Sequence, residues 1–106
     1  MTIRKDEKKR EKYDEALIRV GEVLEGHRKE IYRGISRKRF IEEQGEVYFN
    51  DTEWISERHL TNLEKGKNWI SIECLLKLAI ALNKDPVELF EEIVKAWRGN
   101  DCEDAG

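Results

Sequence analysis

Apolar side chains recur at spacings of three and four residues along most of this 106-residue chain, and this spacing is the period of an α-helix. The longest such stripe belongs to a first helix and contains Tyr13, Leu17, Val20, Leu24, His27 and Ile31. No repeat, low-complexity tract or Pro/Gly/Ser linker divides the chain, and its length suits a single hydrophobic core. The sequence therefore predicts one all-α domain over residues 11–99, preceded by a basic N-terminal arm (residues 1–10) and followed by a frayed acidic tail (residues 100–106).

Capping residues divide this pattern into five helices. Gly34 is expected to end the first helix, and Ser36 to cap a second helix that ends near Gly45. Ser56 can cap a third helix over residues 55–65, and Gly66 suits the left-handed position just after it.

The last two helices have start signals of the same kind. Ser71 can cap the fourth helix, and Asn83 can terminate it. An aspartate cap (Asp85), a proline at the first helical position and Glu88 three residues after the cap predict the start of the fifth helix. The apolar faces expected of these helices are Ile72, Leu75, Leu76 and Ala79, and Phe90, Ile93, Val94 and Trp97.

The insert between the second and third helices, residues 46–54, is compatible with two structures. Four apolar residues flank the turn-forming pair Asn50-Asp51, as in a short β-hairpin. These residues are Val47, Tyr48, Phe49 and Trp54. The second helix could equally continue through Val47 and Tyr48, because they also fit helical spacing with Phe40. Periodicity does not distinguish the hairpin from the continued helix.

Composition favours a folded helical domain, with 39 % hydrophobic and 41 % charged residues. No apolar run approaches the roughly 18–20 residues that cross a bilayer, and no signal-peptide segment follows the basic N-terminus. We therefore expect the cytoplasm and no membrane partner. Cys74 and Cys102 are unclustered, and His27 and His59 are the two histidines. The sequence thus predicts neither a disulfide scaffold nor a metal or cofactor site.

Charge is segregated along the chain, although the net charge is only −3. Residues 1–12 have a net charge of +3 and residues 27–39 one of +5, whereas residues 40–66 have −5. A locally basic surface can bind phosphate even on an acidic protein, and such runs can equally be solvated faces.

The third helix combines a narrow apolar side with a strongly polar one when its residues are placed at 100° intervals. The inward side is Ser56, Leu60 and Leu63, with Glu64 at its edge. The outward side is Arg58, Thr61, Asn62 and Lys65, flanked by Glu57 and His59. In a DNA major groove, arginine reads guanine, asparagine reads adenine and threonine contacts the thymine methyl group. An ordinary surface helix could present the same groups.

Residues 55–90 closely resemble the second half of the lambda-repressor/Cro-like helix-turn-helix domain. The similarity is carried by the run "LEKGK" (63–67), the Ser71-capped apolar helix and the ending "DPVELF" (85–90). Upstream, "GISRKRFIEEQG" (34–45) and "RVGEVLEGHRKE" (19–30) resemble the family's earlier helices. The resemblance covers residues 18–90 and implies a five-helix DNA-binding domain. The first and last helices are expected to extend beyond it, to Tyr13 at one end and to Trp97 at the other.

The chain departs from the family pattern at three places. The family joins its two motif helices by a tight turn, whereas nine residues, 46–54, intervene here. Ile41 stands where the family has a small residue, and Ile70 stands where a proline is common. The longer connection leaves the angle of the third helix open.

The resemblance also implies roles for individual residues. It implies base contacts by Glu57, Arg58 and Asn62 with Thr61 nearby, and phosphate contacts by Arg37 and Lys38 and by Lys65 and Lys67. It further implies an internal ion pair between Arg28 and Glu64. The 100° spacing of the third helix also places Glu64 at the edge of the inward side. Family proteins usually bind as twofold dimers on half-sites about 34 Å apart.

The chain ends allow two arrangements. Ile93, Val94 and Trp97 would be a costly exposed patch on a monomer, so they either join a homodimer interface or pack internally, for example Trp97 on Tyr13.

The sequence favours a DNA-binding transcriptional regulator, most simply a repressor. The alternative is a protein-interaction module of the same fold, of antitoxin or regulator-partner type, which binds through the insert and Trp54. No nucleophile with a positioned base and no phosphate-binding loop is visible, so we do not expect an enzyme.

Overall fold

The computed structural model describes the backbone of residues 2–99 and the side chains of residues 15–99. Five helices follow one another: α1 (Thr2–Ile31), α2 (Arg37–Tyr48), α3 (Glu57–Glu64), α4 (Ile72–Ala81) and α5 (Pro86–Arg98). None of these residues forms a strand, so the predicted all-α class is confirmed for this part of the chain. The expected acidic tail, residues 100–106, lies outside it.

α1 extends further toward the N-terminus than its apolar stripe. It begins at Thr2, so the backbone of the expected arm (residues 1–10) is helical from that residue on, while the side chains before residue 15 lie outside those described. Leu17, Val20 and Leu24 are buried as predicted, but Ile31, the last residue of the helix, is exposed. Although α1 has 30 residues, no described helix is long and apolar enough to cross a membrane.

All four predicted N-caps are confirmed. The side-chain oxygens of Ser36, Ser56, Ser71 and Asp85 each accept a hydrogen bond from the backbone N–H three residues later, at distances of 3.1, 3.0, 3.1 and 3.2 Å. Each bond satisfies an N–H that has no partner within its helix. These local signals were sufficient to place the helix starts.

The prediction that α2 ends near Gly45 is wrong, and the helical alternative for the insert is correct. α2 continues through Tyr48, and Asn50 and Asp51 then reverse the chain with φ of +56° and +61°. Gly45 lies inside the helix, where a β-carbon would come within 2.8 Å of the Thr52 carbonyl oxygen. The same glycine carbonyl accepts hydrogen bonds from the N–H groups of Phe49 and Asp51. Glycine therefore serves here as a contact point for the returning chain.

α1 is the helix against which both α3 and α5 pack, while α2 contacts α3 and α4, and α4 contacts α5. The largest fully buried side chains come from all five helices and the α4–α5 turn: Leu24, Phe40, Leu60, Leu63, Leu78, Leu82 and Leu89. One core thus connects every helix.

The buried faces of α4 and α5 differ from those predicted. On α4, Leu75, Leu78 and Ala79 are buried, whereas Ile72 and Leu76 are exposed. The buried residues of α5 are Leu89 and Ile93, whereas Phe90 and Trp97 are exposed. Both helices have more apolar residues than one buried face can hold, so the neighbouring helices decide which ones face inward.

Candidate nucleic-acid interface

α3 is a short helix that is well defined at both ends. Ser56 caps its N-terminus, and Gly66 adopts φ = +76° just after its C-terminus, as predicted. The Lys67 N–H donates to the Asn62 carbonyl at 2.8 Å, which closes the C-terminal turn. Leu60, Leu63 and Glu64 form its buried face.

The outward face of α3 is polar and accessible at its N-terminal end. Glu57 and Arg58 are exposed, and Thr61 and Asn62 are half-buried. The Thr61 hydroxyl donates to the Glu57 carbonyl at 2.8 Å, so it presents its methyl group and an acceptor rather than a free donor. Arg58 is therefore the main hydrogen-bond donor available at this end of the helix.

A charged cluster lies beneath this face. Glu64 accepts from Arg28 Nε at 2.6 Å and from Arg28 Nη2 at 2.9 Å, and both residues are buried. These two hydrogen bonds form the ion pair that the family resemblance implied. Glu64 also accepts from Arg37 Nε at 2.7 Å, and Arg37 Nη2 lies 3.6 Å from Glu25. The cluster therefore ties α1, α2 and α3 together.

Arg37 consequently has a different environment from the one expected of a phosphate-binding residue. Its guanidinium faces two carboxylates of its own chain, and its side chain is only 23 % exposed. Of the other residues expected to meet phosphate, Lys38, Lys65 and Lys67 are exposed. The participation of Arg37 and Glu25 in the cluster has no signal in the spacing of the sequence.

Two open grooves meet at Glu57. The first runs between the end of α1 and the start of α2, and its charged members are of both signs: Glu25, Arg28, Lys29, Glu30, Arg33, Arg37 and Glu57. The second runs between α2 and the insert, and its charged members are Lys38, Glu42, Glu46, Asp51, Glu53 and Glu57. The N-terminus of α3 thus lies between a groove of mixed charge and a predominantly acidic one. The acidic groove was not expected, because it forms only when the turn after α2 returns toward α3.

Close backbone approach also positions α3 on α1. A β-carbon at Gly21 would overlap the carbonyl group of Glu64, and a β-carbon at Gly66 would come within 2.6 Å of the Ile18 Cα. Glycine at both positions lets the two helices touch. A glycine inside an apolar helical stripe was the only sequence signal for this contact.

Two residues expected to contact a partner are buried instead. Trp54 is 7 % exposed: its Nε1–H donates to the Ile41 carbonyl at 3.1 Å and its ring stacks on Phe49 with centroids 4.7 Å apart. Ile93 is 2 % exposed. Trp97 remains exposed, and its neighbour is Trp69, a residue that the sequence pattern did not identify. The expected Tyr13–Trp97 contact involves a side chain outside those described.

Cys74 is a free, partly buried cysteine on α4. Burial raises the pKa of the Cys74 thiol, with a smaller opposing effect from Lys77. A raised thiol pKa means less thiolate at neutral pH and a weaker nucleophile. Among the described residues, no group of three or more His, Cys, Asp or Glu side chains could hold a metal ion.

No known protein family, no curated protein and no solved structure matches this chain. The chemistry of the α3 surface is therefore the basis for assigning a function.

Proposed function

We propose that this chain is a sequence-specific double-stranded DNA-binding regulator of transcription, most simply a repressor, and that α2 and α3 are its helix-turn-helix. The observation that supports this most is the construction of α3. Its inner face is held by the buried Glu64 cluster and by close approach at Gly21, while Arg58 and Asn62 project on the other side. A rigidly seated helix with a polar outer face is what base reading in a major groove needs.

Arg58 is assigned the main base contact, as a bidentate donor to guanine. Asn62 and the Thr61 methyl group lie one turn further along and suit adenine and thymine, respectively. Glu57 at the first turn accepts hydrogen bonds and would favour a cytosine amino group. These four side chains would read adjacent base pairs.

Phosphate contacts are assigned to exposed basic side chains around α3. Lys38 lies in the first turn of α2, and Lys65 and Lys67 lie at the far end of α3. The two ends together would hold the DNA backbone on both sides of the groove. Arg37 is assigned to the internal cluster rather than to DNA, because its donors already face Glu64 and Glu25.

The first test is selection of random duplexes on the purified full chain, followed by binding measurements over a range of salt concentrations. Arg58→Ala is expected to weaken binding to the selected sequence by about 1–3 kcal/mol and to relax the preference at one base pair. Lys65→Ala is expected to weaken binding to all sequences alike and to make the salt dependence shallower.

Arg98→Ala is the matched control. Arg98 is an exposed arginine on α5, so this substitution removes the same charge as Arg58→Ala. Equal losses for the two arginine variants would contradict groove reading, since only the charge would then matter. Absence of any enriched sequence would contradict the proposal as a whole.

The acidic groove supports a second candidate, a protein-interaction module of the same fold. In this version the partner is a basic protein segment that contacts Glu42, Glu46, Asp51 and Glu53. The version in which the insert binds through Trp54 is not retained, because that side chain is part of the core. Binding that survives Arg58→Ala but is lost on Glu46→Lys would favour the second candidate.

A further inference from the structure

An open groove with aromatic walls lies along α5, and none of its lining residues is assigned to DNA. This aromatic groove has a volume of about 240 Å³ and is lined by Trp69, Phe90, Ile93, Val94 and Trp97. Among the residues that the structure describes, no polar atom faces it. A charged or hydrogen-bonding group placed inside would lose its water without gaining a partner. The groove therefore suits an apolar occupant.

One wall of the aromatic groove is held in place from α1. Arg19 donates from Nε to the Ala96 carbonyl at 2.7 Å and from Nη2 to the Trp97 carbonyl at 2.8 Å. These two hydrogen bonds fix the backbone that carries the Trp97 ring. Ile93 is buried, so it forms the floor of the groove rather than a part of its open side.

The opposite wall, Trp69, is also held by its neighbours in the chain. It lies between Gly66, whose close approach to Ile18 fixes the turn after α3, and Ser71, which caps α4. Both tryptophans are therefore positioned by contacts outside the groove. A site that is already formed loses little conformational entropy when a molecule binds.

The size of the aromatic groove selects among possible occupants. Its three aromatic side chains are about half exposed and leave roughly 300 Å² accessible, because each can present about 150–250 Å². A stable protein interface takes about 800 Å² from each partner, which is more than this groove offers. An engineered apolar cavity of about 150 Å³ in another protein binds benzene, so the larger volume here has room for two fused rings.

The two indole rings leave no room for another ring between them. Their centroids lie 6.2 Å apart and their planes are inclined at 45°. A ring stacked between them would need about 3.5 Å on each side, roughly 7 Å in all. A planar molecule must therefore lie across the indole pair and contact Phe90 from within the groove.

We propose that the aromatic groove is a binding site for a small apolar molecule with two fused aromatic rings. Trp69, Trp97 and Phe90 contact its rings in offset or edge-on arrangements, which are the favourable ones for aromatic pairs. Any polar group that the molecule carries faces the open side of the groove, where water solvates it. The site goes beyond the proposed function and does not depend on it.

The experiment titrates 2-naphthol, a two-ring probe that is neutral at neutral pH, into the ¹⁵N-labelled full chain without DNA. The indole N–H signals of the three tryptophans are followed by NMR and assigned by tryptophan-to-phenylalanine variants. The signals of Trp69 and Trp97 are expected to shift together and to saturate, with a Kd of about 0.1–3 mM for a molecule of this size. Trp54 is the internal control, because it is buried and its N–H donates to the Ile41 carbonyl.

A smaller probe tests the size of the occupant. Phenol has the same hydroxyl group as 2-naphthol but only one ring, so it buries less apolar surface in the groove. It is expected to bind about tenfold more weakly. Equal affinities for phenol and 2-naphthol would contradict a site for two fused rings.

Two substitutions test the location of the site. Phe90→Ala removes one aromatic contact and should raise the Kd of 2-naphthol about fivefold. Val94→Trp places an indole ring in the groove without adding charge and should raise the Kd by about tenfold or more, because the space is then occupied. Tyr48→Ala is the matched control, since Tyr48 on α2 is 49 % exposed and Phe90 is 47 % exposed; its Kd should equal that of the wild type. An unchanged Trp54 signal shows that each variant is folded.

Three results would overturn the proposal. The first is the absence of a saturable shift at Trp69 and Trp97, or an equal shift at Trp54. The second is an equal loss of affinity for Phe90→Ala and Tyr48→Ala in folded protein. The third is a shift of the Trp69 and Trp97 signals with protein concentration alone, which would mean that a second copy of the chain fills the groove. Because no DNA is present, these results are independent of the duplex selection.

Discussion

α3 and α5 both pack on α1, yet their outer faces are opposite in chemistry. α3 presents Glu57, Arg58 and Asn62 to solvent, whereas α5 presents Phe90 and Trp97. Water solvates the polar set without cost, but it disfavours the exposed aromatic rings. A polar face is therefore compatible with having no partner, while an apolar face of this size indicates one.

The two helices are also held on α1 by different contacts. α3 is held by the buried Glu64 carboxylate and by the close approach at Gly21. α5 is held near its C-terminus by Arg19, and His27 lies 2.5 Å from Glu92 in a partly buried contact. The contacts under α3 are more buried than those under α5, so we expect them to tolerate less change.

The largest effect is expected from Glu64→Ala. The substitution leaves Arg28 buried without its carboxylate, and breaking a buried pair in this way costs about 3–5 kcal/mol. Chemical denaturation of the full chain measures the loss. Glu73→Gln, which breaks the exposed pair with Lys77, should leave stability unchanged. Comparable losses for the two variants would mean that α3 is not held by its ion cluster.

Gly21→Ala is expected to be the next most disruptive change. The new methyl group would overlap the backbone of Glu64, which cannot move without displacing α3, so we expect a loss of about 1–3 kcal/mol or more. Gly26→Ala is the matched control on the same helix, because no atom outside the neighbouring backbone of α1 lies within 4 Å of a β-carbon there. It should stabilise the protein by roughly 0.5–1 kcal/mol through helix propensity. Stability changes of opposite sign for these two glycine-to-alanine substitutions would locate the α1–α3 contact at Gly21. Changes of the same sign would contradict that contact.

Arg19→Ala should have a smaller effect on α5. Arg19 Nε donates to the Ala96 carbonyl at 2.7 Å and Nη2 to the Trp97 carbonyl at 2.8 Å, so it satisfies carbonyl groups in the last turn of the helix. We expect a loss of about 1 kcal/mol, since one hydrogen bond is partly buried and the other is exposed. Amide hydrogen exchange should localise the effect to the C-terminal turn of α5. Faster amide exchange throughout α3 would contradict the inference that α3 and α5 are held on α1 by separate contacts.

The smallest expected effect concerns the acidic groove beside α3. The double variant Asp51→Asn/Glu53→Gln removes two negative charges next to the surface assigned to DNA, so non-specific duplex affinity at low salt should rise by about 2–10-fold. The control Glu22→Gln removes one exposed negative charge on α1, and it should raise the non-specific duplex affinity less. Equal increases for the two variants would mean that DNA does not approach the α2–α3 side.

The turns between the helices were partly predictable from the sequence. Gly66 adopts positive φ as predicted, Gly34 also adopts it where the first helix was expected to end, and Asn50-Asp51 form the expected turn. The end of α2 was not predictable, because Gly45 is a helix-ending signal only where nothing packs on it. Here the Thr52 carbonyl lies against it, and the stacked Phe49 and Trp54 rings hold the returning chain in place.

The sequence by itself determined the all-α class, the five helices and their caps, because these depend on periodicity and on hydrogen bonds within three or four residues. Tertiary structure alone decided which apolar residues of α4 and α5 face inward, since both helices carry more of them than one core-facing side accommodates. It also directed Arg37 to Glu64 instead of solvent and brought Trp69 beside Trp97. In both cases the partners are distant in sequence, and local patterns hold no information about groups that meet only when the helices pack.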